Sequence, residues 1–517
     1  MNVAALLEAN LVINGDALAV VDRNRRYSYA QICGLASQVA NGLAANGYGV
    51  GDRIALCCSN KVEFITAYFG ILKTGATVVA LNTALTQADL VRRLNDSEAV
   101  GMICYDGTYG ATFIETVNEA AAQAPKCRNL WIIESEGSPH ILPPPCRPFT
   151  GLLAHQYPFF SNFPCDEDQT AMIAYSSGTT GDPKGIEITH GNILSMVTLN
   201  EPIAPMEMSA VRLVISPLFH IMAQTSGMVL PLAWGQKVVL MEKFDPALAW
   251  HLIDEENVTY LAGPPILFRT LMDNAPPDAE VVGRRTLKLC ISGAAPLPEE
   301  WSEEFESRFG VPILPAYGAT ETTATVTLRT AGDPAARGTV GRPIAGVEIR
   351  IVDRDGNELP AGVEGEILIR SPGIMKGYWN QPDVTDAVIE DGWYHSGDIG
   401  CLDERGYLTW LRRMDRQIVR RTGTVVSPAR IENILLGHPR VSRAVVLGVP
   451  NGGTNQALVA FLEVPTEAPL ARDDFLQWLS TRLAAFEMPD DFSFLRAFPV
   501  TETGKIARQV LIESAYQ

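Results

Sequence analysis

From about residue 28 to 325 the chain alternates between two hydrophobic periods. Ser28-Tyr-Ala-Gln31 and Asn60-Lys-Val-Glu63 both read as capping boxes, the second opening a helix with Val62, Ile65, Phe69 and Leu72 on one face. Continuous apolar, β-branched runs follow such helices: Thr77–Leu81, Val211–Ile215, Lys237–Met241, Val258–Leu261 and Leu287–Ile291. Runs without polar alternation, separated by helices, predict largely parallel sheets covered on both faces. Between Gly338 and Leu411 short strands (Val347–Val352, Gly365–Arg370, Tyr407–Leu411) are parted by Gly, Pro, Asp and Asn, which predicts an antiparallel β unit. The last hundred or so residues mix Pro428–Leu435, Ala444–Leu447, Leu458–Phe461 and an amphipathic stretch from Asp473 to Ala485. The expected fold is therefore α/β: a large N-terminal body over 1–412, its β unit at about 338–411, then a small α+β domain over 413–517.

Composition narrows the function classes. Of 517 residues, 47% are hydrophobic and 19% charged, enough apolar surface for several packed units and too little charge for disorder. Lys and Arg number 41 against 59 Asp and Glu, and the formal charge of -18 repels nucleic acid and anionic membranes over most of the surface. An anionic ligand must therefore meet a local positive site. The start lacks the basic and long apolar regions of a signal peptide, and no run approaches the ~18 apolar residues of a spanning helix, so a cytoplasmic protein is expected. Nine scattered cysteines contain no CxxC, and the seven histidines offer neither HExxH nor an i, i+4 pair. Reduced buried thiols and no ordinary zinc site follow.

The strongest local signal is Tyr175-Ser-Ser-Gly-Thr-Thr-Gly-Asp-Pro-Lys-Gly185, set between the apolar runs Ala171–Ala174 and Ile186–Ile188. Two strands flanking a loop of glycines, hydroxyls and one lysine can offer backbone N–H groups, O–H donors and a cation to a polyphosphate. The P-loop pattern GxxxxGK[ST] cannot be threaded through it, and no GxSxG or GxGxxG occurs.

This loop resembles the signature of the adenylate-forming superfamily: acyl-CoA synthetases, nonribosomal peptide adenylation domains and luciferases. The remaining pattern follows in order over nearly the whole chain: Leu72–Ala76, Pro217-Leu-Phe-His220, Gly293-Ala-Ala-Pro296, Tyr317-Gly-Ala-Thr-Glu321, Gly365-Glu366, Gly377–Asn380, Trp393–Asp398, Arg413–Gln417 and Pro499–Lys505. The resemblance implies that a carboxylate attacks the α-phosphate of ATP, pyrophosphate leaves, and the acyl group passes to a thiol. Charge neutralisation dominates such chemistry. By similarity, Ser176, Ser177, Gly178, Thr179, Thr180 and Gly181 with Lys184 hold the β- and γ-phosphates, Thr320 the α-phosphate, and Glu321 a Mg²⁺ ion. Gly293, Ala294, Ala295 and Pro296 sandwich adenine with Tyr317 and Gly318, and Asp398 accepts both ribose hydroxyls. Lys505 neutralises the reacting carboxylate and α-phosphate, Arg413 contacts ribose or phosphate, Asp415 is the hinge of a mobile C-terminal lid, and Gly423 closes on the pantetheine channel. His220 gates the acyl channel, with a packed core histidine as the alternative.

Some positions depart from the family pattern. Ser396 replaces the usual Thr, Arg412 the usual Gly, Arg430 stands where an acidic residue is common, and the loop near Thr422 is one residue longer. Arg412, Arg413, Arg416, Arg420 and Arg421 form a basic cluster, read either as a solvated face or as a receiver of nucleotide or coenzyme A phosphates. The Pro217–Met222 segment holds no carboxylate to meet an ammonium group, so a neutral or anionic acid is favoured over an amino acid. The chain ends soon after Lys505, with no room there for a fused carrier domain, so coenzyme A is the expected acceptor. The expectation is an ATP- and Mg²⁺-dependent acid:CoA ligase working on a small-molecule carboxylic acid. A stand-alone adenylating enzyme loading a separate carrier protein, a silent adenylate-binding protein and a homodimer stay open.

Overall fold

The structure, a computed structural model, describes residues 1–517 except 84, 108–110, 136–141, 176–183, 201–206, 334–335, 415–417, 420–424, 427, 451–455, 465–471, 481, 484–486, 501–505 and 515–517. It divides into two compact units: Met1–Ile349 with Ile369–Tyr394 and Arg405–Leu408, and Arg350–Leu368 with His395–Glu404 and Thr409–Gln517.

The first unit is built on two sheets. Its early strands are β1 (Leu18–Asp22), β2 (Arg25–Ser28), β3 (Arg53–Cys57), β4 (Thr77–Ala80), β5 (Gly101–Tyr105), β6 (Asn129–Ile133), β7 (Cys146–Pro148), β8 (Thr170–Tyr175) and β9 (Gly185–Thr189). Next come β10 (Val211–Val214), β11 (Lys237–Leu240), β12 (Tyr260–Gly263), β13 (Leu289–Ser292), β14 (Ile313–Gly318), β15 (Thr325–Leu328) and β16 (Arg342–Pro343). One sheet has the order β16-β15-β14-β13-β12-β10-β11-β1-β2, and its middle pairs, from β14 to β1, are all parallel. β10 starts the switch: the chain steps from β10 to β11 on one side, then returns past β10 to β12, β13 and β14 on the other.

Later strands are β17 (Glu348–Val352), β18 (Gly365–Arg370), β19 (Gly377–Tyr378), β20 (Ile389–Glu390), β21 (Trp393–Leu402) and β22 (Leu408–Arg413). The second large sheet runs β19-β9-β8-β4-β3-β5-β6-β7. Helices Tyr29–Ala45 and Val62–Lys73 pack on each other, and the second touches β1 of one sheet and β3 and β4 of the other. All of it but Glu63 is buried, so apolar residues run round it rather than along a single stripe, and Thr66 and Lys73 are buried with them. Gly70 permits the close helix contact, because a Cβ there would stand 2.6 Å from Val39 Cβ.

The capping box at Ser28 forms as expected, with Gln31 N donating to Ser28 Oγ and Ser28 N to Gln31 Oε1. The second expected box does not. Lys61 is the N-cap, Val62 N donates to Asp22 Oδ2, and Asn60 turns inward to bond strands far away in sequence. The run at Val258 becomes strand only from Tyr260, since Thr259 uses its hydroxyl to accept from Val211 N.

In the second unit β18 lies beside β17 and β21, and β22 beside β21. It continues with β23 (Ile418–Val419), β24 (Val425–Val426), β25 (Arg443–Pro450), β26 (Gln456–Glu463) and β27 (Asp491–Leu495). β26 pairs antiparallel with β25 and parallel with β27. Ile431, Leu435, Leu458, Leu462, Phe475 and Leu479 form its core, so each unit has its own apolar centre.

Eight of the nine cysteines are buried and Cys401 is half-buried; none is bridged. Burial pushes the Cys33 thiol up to about 11 and the Cys57 and Cys127 thiols up to about 12, which keeps them protonated and unreactive. Among the described residues no group of three or more His, Cys, Asp or Glu could hold a metal, and no helix is long and apolar enough to cross a membrane.

Candidate active site

Ser176, Ser177, Gly178, Thr179, Thr180 and Gly181 lie outside the described residues, but the strands that carry their loop do not. β8 and β9 are antiparallel, with Tyr175 opposite Gly185 at the loop base, and Lys184 stands at its return. β19 adds to the free edge of β9, setting Tyr378 opposite Ile186. Its buried ring lies 4.8 Å from Lys184 Nζ, while its hydroxyl donates to Glu321 Oε1 at 3.2 Å. One tyrosine thus touches both the expected phosphate lysine and the expected metal carboxylate. In the sequence Tyr378 stands out only as part of the Gly377–Asn380 pattern, and nothing local marks these contacts.

Glu321 sits in a 3₁₀ turn, Thr320–Thr322, that closes the β14–β15 hairpin. Thr322 Oγ1 accepts from Ala319 N at 2.9 Å and is 2.8 Å from the Ala324 carbonyl oxygen. Thr323 follows at φ 61°, its hydroxyl bonded to the Gly373 carbonyl and its own carbonyl accepting from Thr225 Oγ1. The Glu321 carbonyl accepts from Met375 N at 2.8 Å. This lattice fixes the backbone and leaves the carboxylate to Tyr378.

Gly293–Pro296 follows β13, and Tyr317-Gly318 ends β14, its parallel neighbour, so both segments emerge from the same sheet end. Gly293 is buried and its N–H donates to the Gly263 carbonyl; Ala294, Ala295 and Pro296 are exposed, with Ala294 at φ 66°. A turn of small exposed side chains offers flat backbone to a ring. Carboxyl ends of parallel strands are where open α/β sheets bind ligands.

His220 is half-buried, and its Nδ1 is 3.4 Å from Met222 N. The residue that holds its segment is Asn60: Oδ1 accepts from Leu218 N at 2.8 Å, and Nδ2 donates to the Ser216 and Met241 carbonyls at 3.0 Å each. No local spacing signals this role.

In the second unit Asp398 is buried, its N–H bonded to Ser396 Oγ at 3.1 Å. Ser396 Oγ in turn donates to the Ile367 carbonyl, so the turn uses a hydroxyl that Ser supplies as well as Thr. Arg413 Nη1 lies 3.4 Å from Asp398 Oδ1 and 3.1 Å from the Ser396 carbonyl. Gly397, at φ 65°, donates to Glu366 Oε1, and Glu366 Oε2 meets His395 Nδ1 at 3.0 Å. Arg412 pairs instead with Glu364. Asp415, Gly423, Lys505 and the arginines at 416, 420 and 421 lie outside the described residues; Val500 and Ile506 bridge antiparallel at the base of the Lys505 loop.

Comparison with known proteins agrees with this architecture. The model of the AMP-binding enzyme family matches residues 7–379, and that of the AMP-binding enzyme C-terminal domain matches 430–505. The chain belongs to the AMP-binding enzyme family. A feruloyl-CoA synthase of an Amycolatopsis species is 32% identical over 502 residues, covering 95% of this chain and 94% of that protein. A long-chain-fatty-acid–CoA ligase of Bacillus subtilis is 28% identical, covering 96% of this chain and 92% of its own. Among solved structures, ATP-bound MatB from Rhodopseudomonas palustris superposes with a TM-score of 0.89 at 28% identity, covering 99% of this chain and 98% of that one. A benzoate CoA ligase from Burkholderia xenovorans gives 0.85 at 27%, covering 99% of both.

Proposed function

We propose that this protein is an AMP-forming ligase of the cytoplasm that joins a small carboxylic acid to coenzyme A through an acyl-AMP. The carboxylate oxygen attacks the α-phosphorus of ATP, the bond to the β-bridging oxygen breaks, and pyrophosphate leaves. The coenzyme A thiolate then attacks the acyl carbon and AMP departs. The observation that carries this reading is the contact of Lys184 and Glu321 with one tyrosine, at the mouth of a loop rich in hydroxyls and glycine.

The loop 176–184 would neutralise the β- and γ-phosphates, and Thr320 would meet the α-phosphate. Glu321 fits Mg²⁺ as a single carboxylate, since that ion keeps waters and takes its other ligands from phosphates rather than from a protein cage. Bound there, it would offset charge on the leaving pyrophosphate. Asp398, acceptor-only and tied at its backbone, suits the ribose diol. Lys505 would bring its cation to the reacting oxygens. Residues 1–412 would act as a body and 413–517 as a lid hinged at Asp415, a boundary that differs from that of the two compact units, since 350–368, 395–404 and 409–412 pack with the C-terminal residues.

An acid panel with ATP and coenzyme A tests this. Pyrophosphate and AMP should appear only when acid is present, with acyl-CoA as product. Acyl transfer to a purified carrier protein but not to coenzyme A would overturn the acceptor, and silence with every acid would overturn the activity.

A further inference from the structure

The step from β11 back to β12 makes the crevice between β10 and β12 the switch point of the sheet, where ligands of open α/β folds bind. A cavity of about 10 Å³ lies there, lined by Arg212 and Ser216 from the β10 segment, Tyr260 from β12, Ala223 and Ser226 from the covering helix, and Met222 at that helix's N-cap. That helix, Ala223–Val229, is of the rare π type, common at functional sites. At the upper end Met222 closes on the Gly293 turn: a Cβ on Gly293 would stand 3.5 Å from Met222 Sδ. The cavity, about the size of one water molecule, therefore lies between Met222, which borders the turn expected to meet the nucleotide, and Arg212.

Arg212 is 2% exposed. Nε donates to Gln236 Oε1 at 2.8 Å and Nη1 to the Ser226 carbonyl at 2.7 Å, and the guanidinium lies 4.1 Å from the Tyr260 ring centre and 5.3 Å from that of Trp234. No carboxylate among the described residues pairs with it. A cation buried with only neutral dipoles and ring faces is costly, and its field inside the cavity favours an anion or a strong acceptor. Ser216 Oγ, also lining the cavity, is buried without a partner among the described residues. Alkyl carbon would satisfy neither group.

We propose that the acid lies in this crevice with its far end toward Arg212, and that Arg212 selects acids bearing an anionic or acceptor oxygen there, such as a second carboxylate or an aryl hydroxyl, over plain alkyl or aryl acids. The proposal rests on the ligase reading above. Met222, an unbranched side chain with three rotatable bonds, is the group that yields to admit the acid.

Matched acid pairs of equal length, differing only in a terminal oxygen, should be compared by acid-dependent pyrophosphate release. The wild-type protein should favour the oxygen-bearing member at least about tenfold in kcat/KM, a hydrogen bond from a charged donor being about twice as strong as a neutral one. Arg212→Lys should keep a reduced preference and Arg212→Met should abolish it. A purely structural role would lower both members alike and leave the ratio unchanged. Equal use of the two members by the wild type, or an unchanged ratio in a folded Arg212→Met, would overturn the proposal. If Arg212→Met does not fold, the wild-type ratio and Arg212→Lys decide it. Release from plain and oxygen-bearing acids alike leaves the ligase reading intact and removes only Arg212; silence with every acid removes both.

Discussion

At the scale of single residues, two side chains carry consequences that can be measured separately. Tyr378 touches Lys184 with its ring and Glu321 with its hydroxyl, so Tyr378→Phe deletes one contact and keeps the other. A hydrogen bond to a charged partner contributes about 1.5–3 kcal/mol, so adenylation should fall roughly tenfold or more, and the Mg²⁺ concentration for half-maximal rate should rise, with the KM for the acid unchanged. Equal Mg²⁺ dependence in the two proteins would remove the tyrosine from this role. His190 concerns stability instead. It is wholly buried, its Nδ1 accepts from Val3 N at 3.1 Å, and its Nε2 has no partner among the described residues. Desolvation, and secondarily the N-terminal ammonium, pull its pKa down to about 4. The unfolded chain, titrating near 6.5, binds the proton first, so stability falls as pH drops from about 6.5 toward 4, by about 3 kcal/mol in all. His190→Asn, which keeps an acceptor for Val3, should flatten denaturant-unfolding free energies over that window. A slope equal to wild type would contradict the assignment.

Among the elements, the β14–β15 hairpin does most to place the site. A Cβ on Gly318 would stand 2.1 Å from the Ala324 carbonyl oxygen and 3.1 Å from Thr325 Cα, both backbone atoms that cannot move without shifting the hairpin. Gly318→Ala should therefore displace Tyr317 and Glu321, costing about 2–3 kcal/mol of stability and most of the adenylation rate. Adenylation within a few-fold of wild type would show the hairpin to be more tolerant than its packing indicates. The elements themselves were largely legible: continuous β-branched runs such as Lys237–Leu240 and Val211–Val214 became parallel strands because burial on both faces leaves no polar alternation. Asn60 was misread because a side chain bonding carbonyls more than 150 residues away has the local pattern of a cap. The contacts of Tyr378 and Arg212 leave no local pattern for the same reason, since their partners lie elsewhere in the sequence. The π-helix spans only Ala223–Val229, too few turns for a period to show in the sequence.

For the whole molecule, the first unit holds the phosphate-loop strands, Tyr378 and Glu321, and the second holds Asp398, Arg413 and the loop of Lys505. Lys505→Ala isolates the contribution of the second, because it deletes one cation expected at the reacting oxygens and leaves the phosphate loop whole. The most direct measurement incubates wild-type protein and this variant with ATP and an acid, detects adenylates by mass spectrometry, then adds coenzyme A. Wild-type protein should accumulate the acyl-AMP and convert it to acyl-CoA and AMP, while the variant should bind ATP but form no adenylate. ATP consumed to ADP, or an adenylate formed as fast without Lys505 as with it, would contradict the proposed reaction.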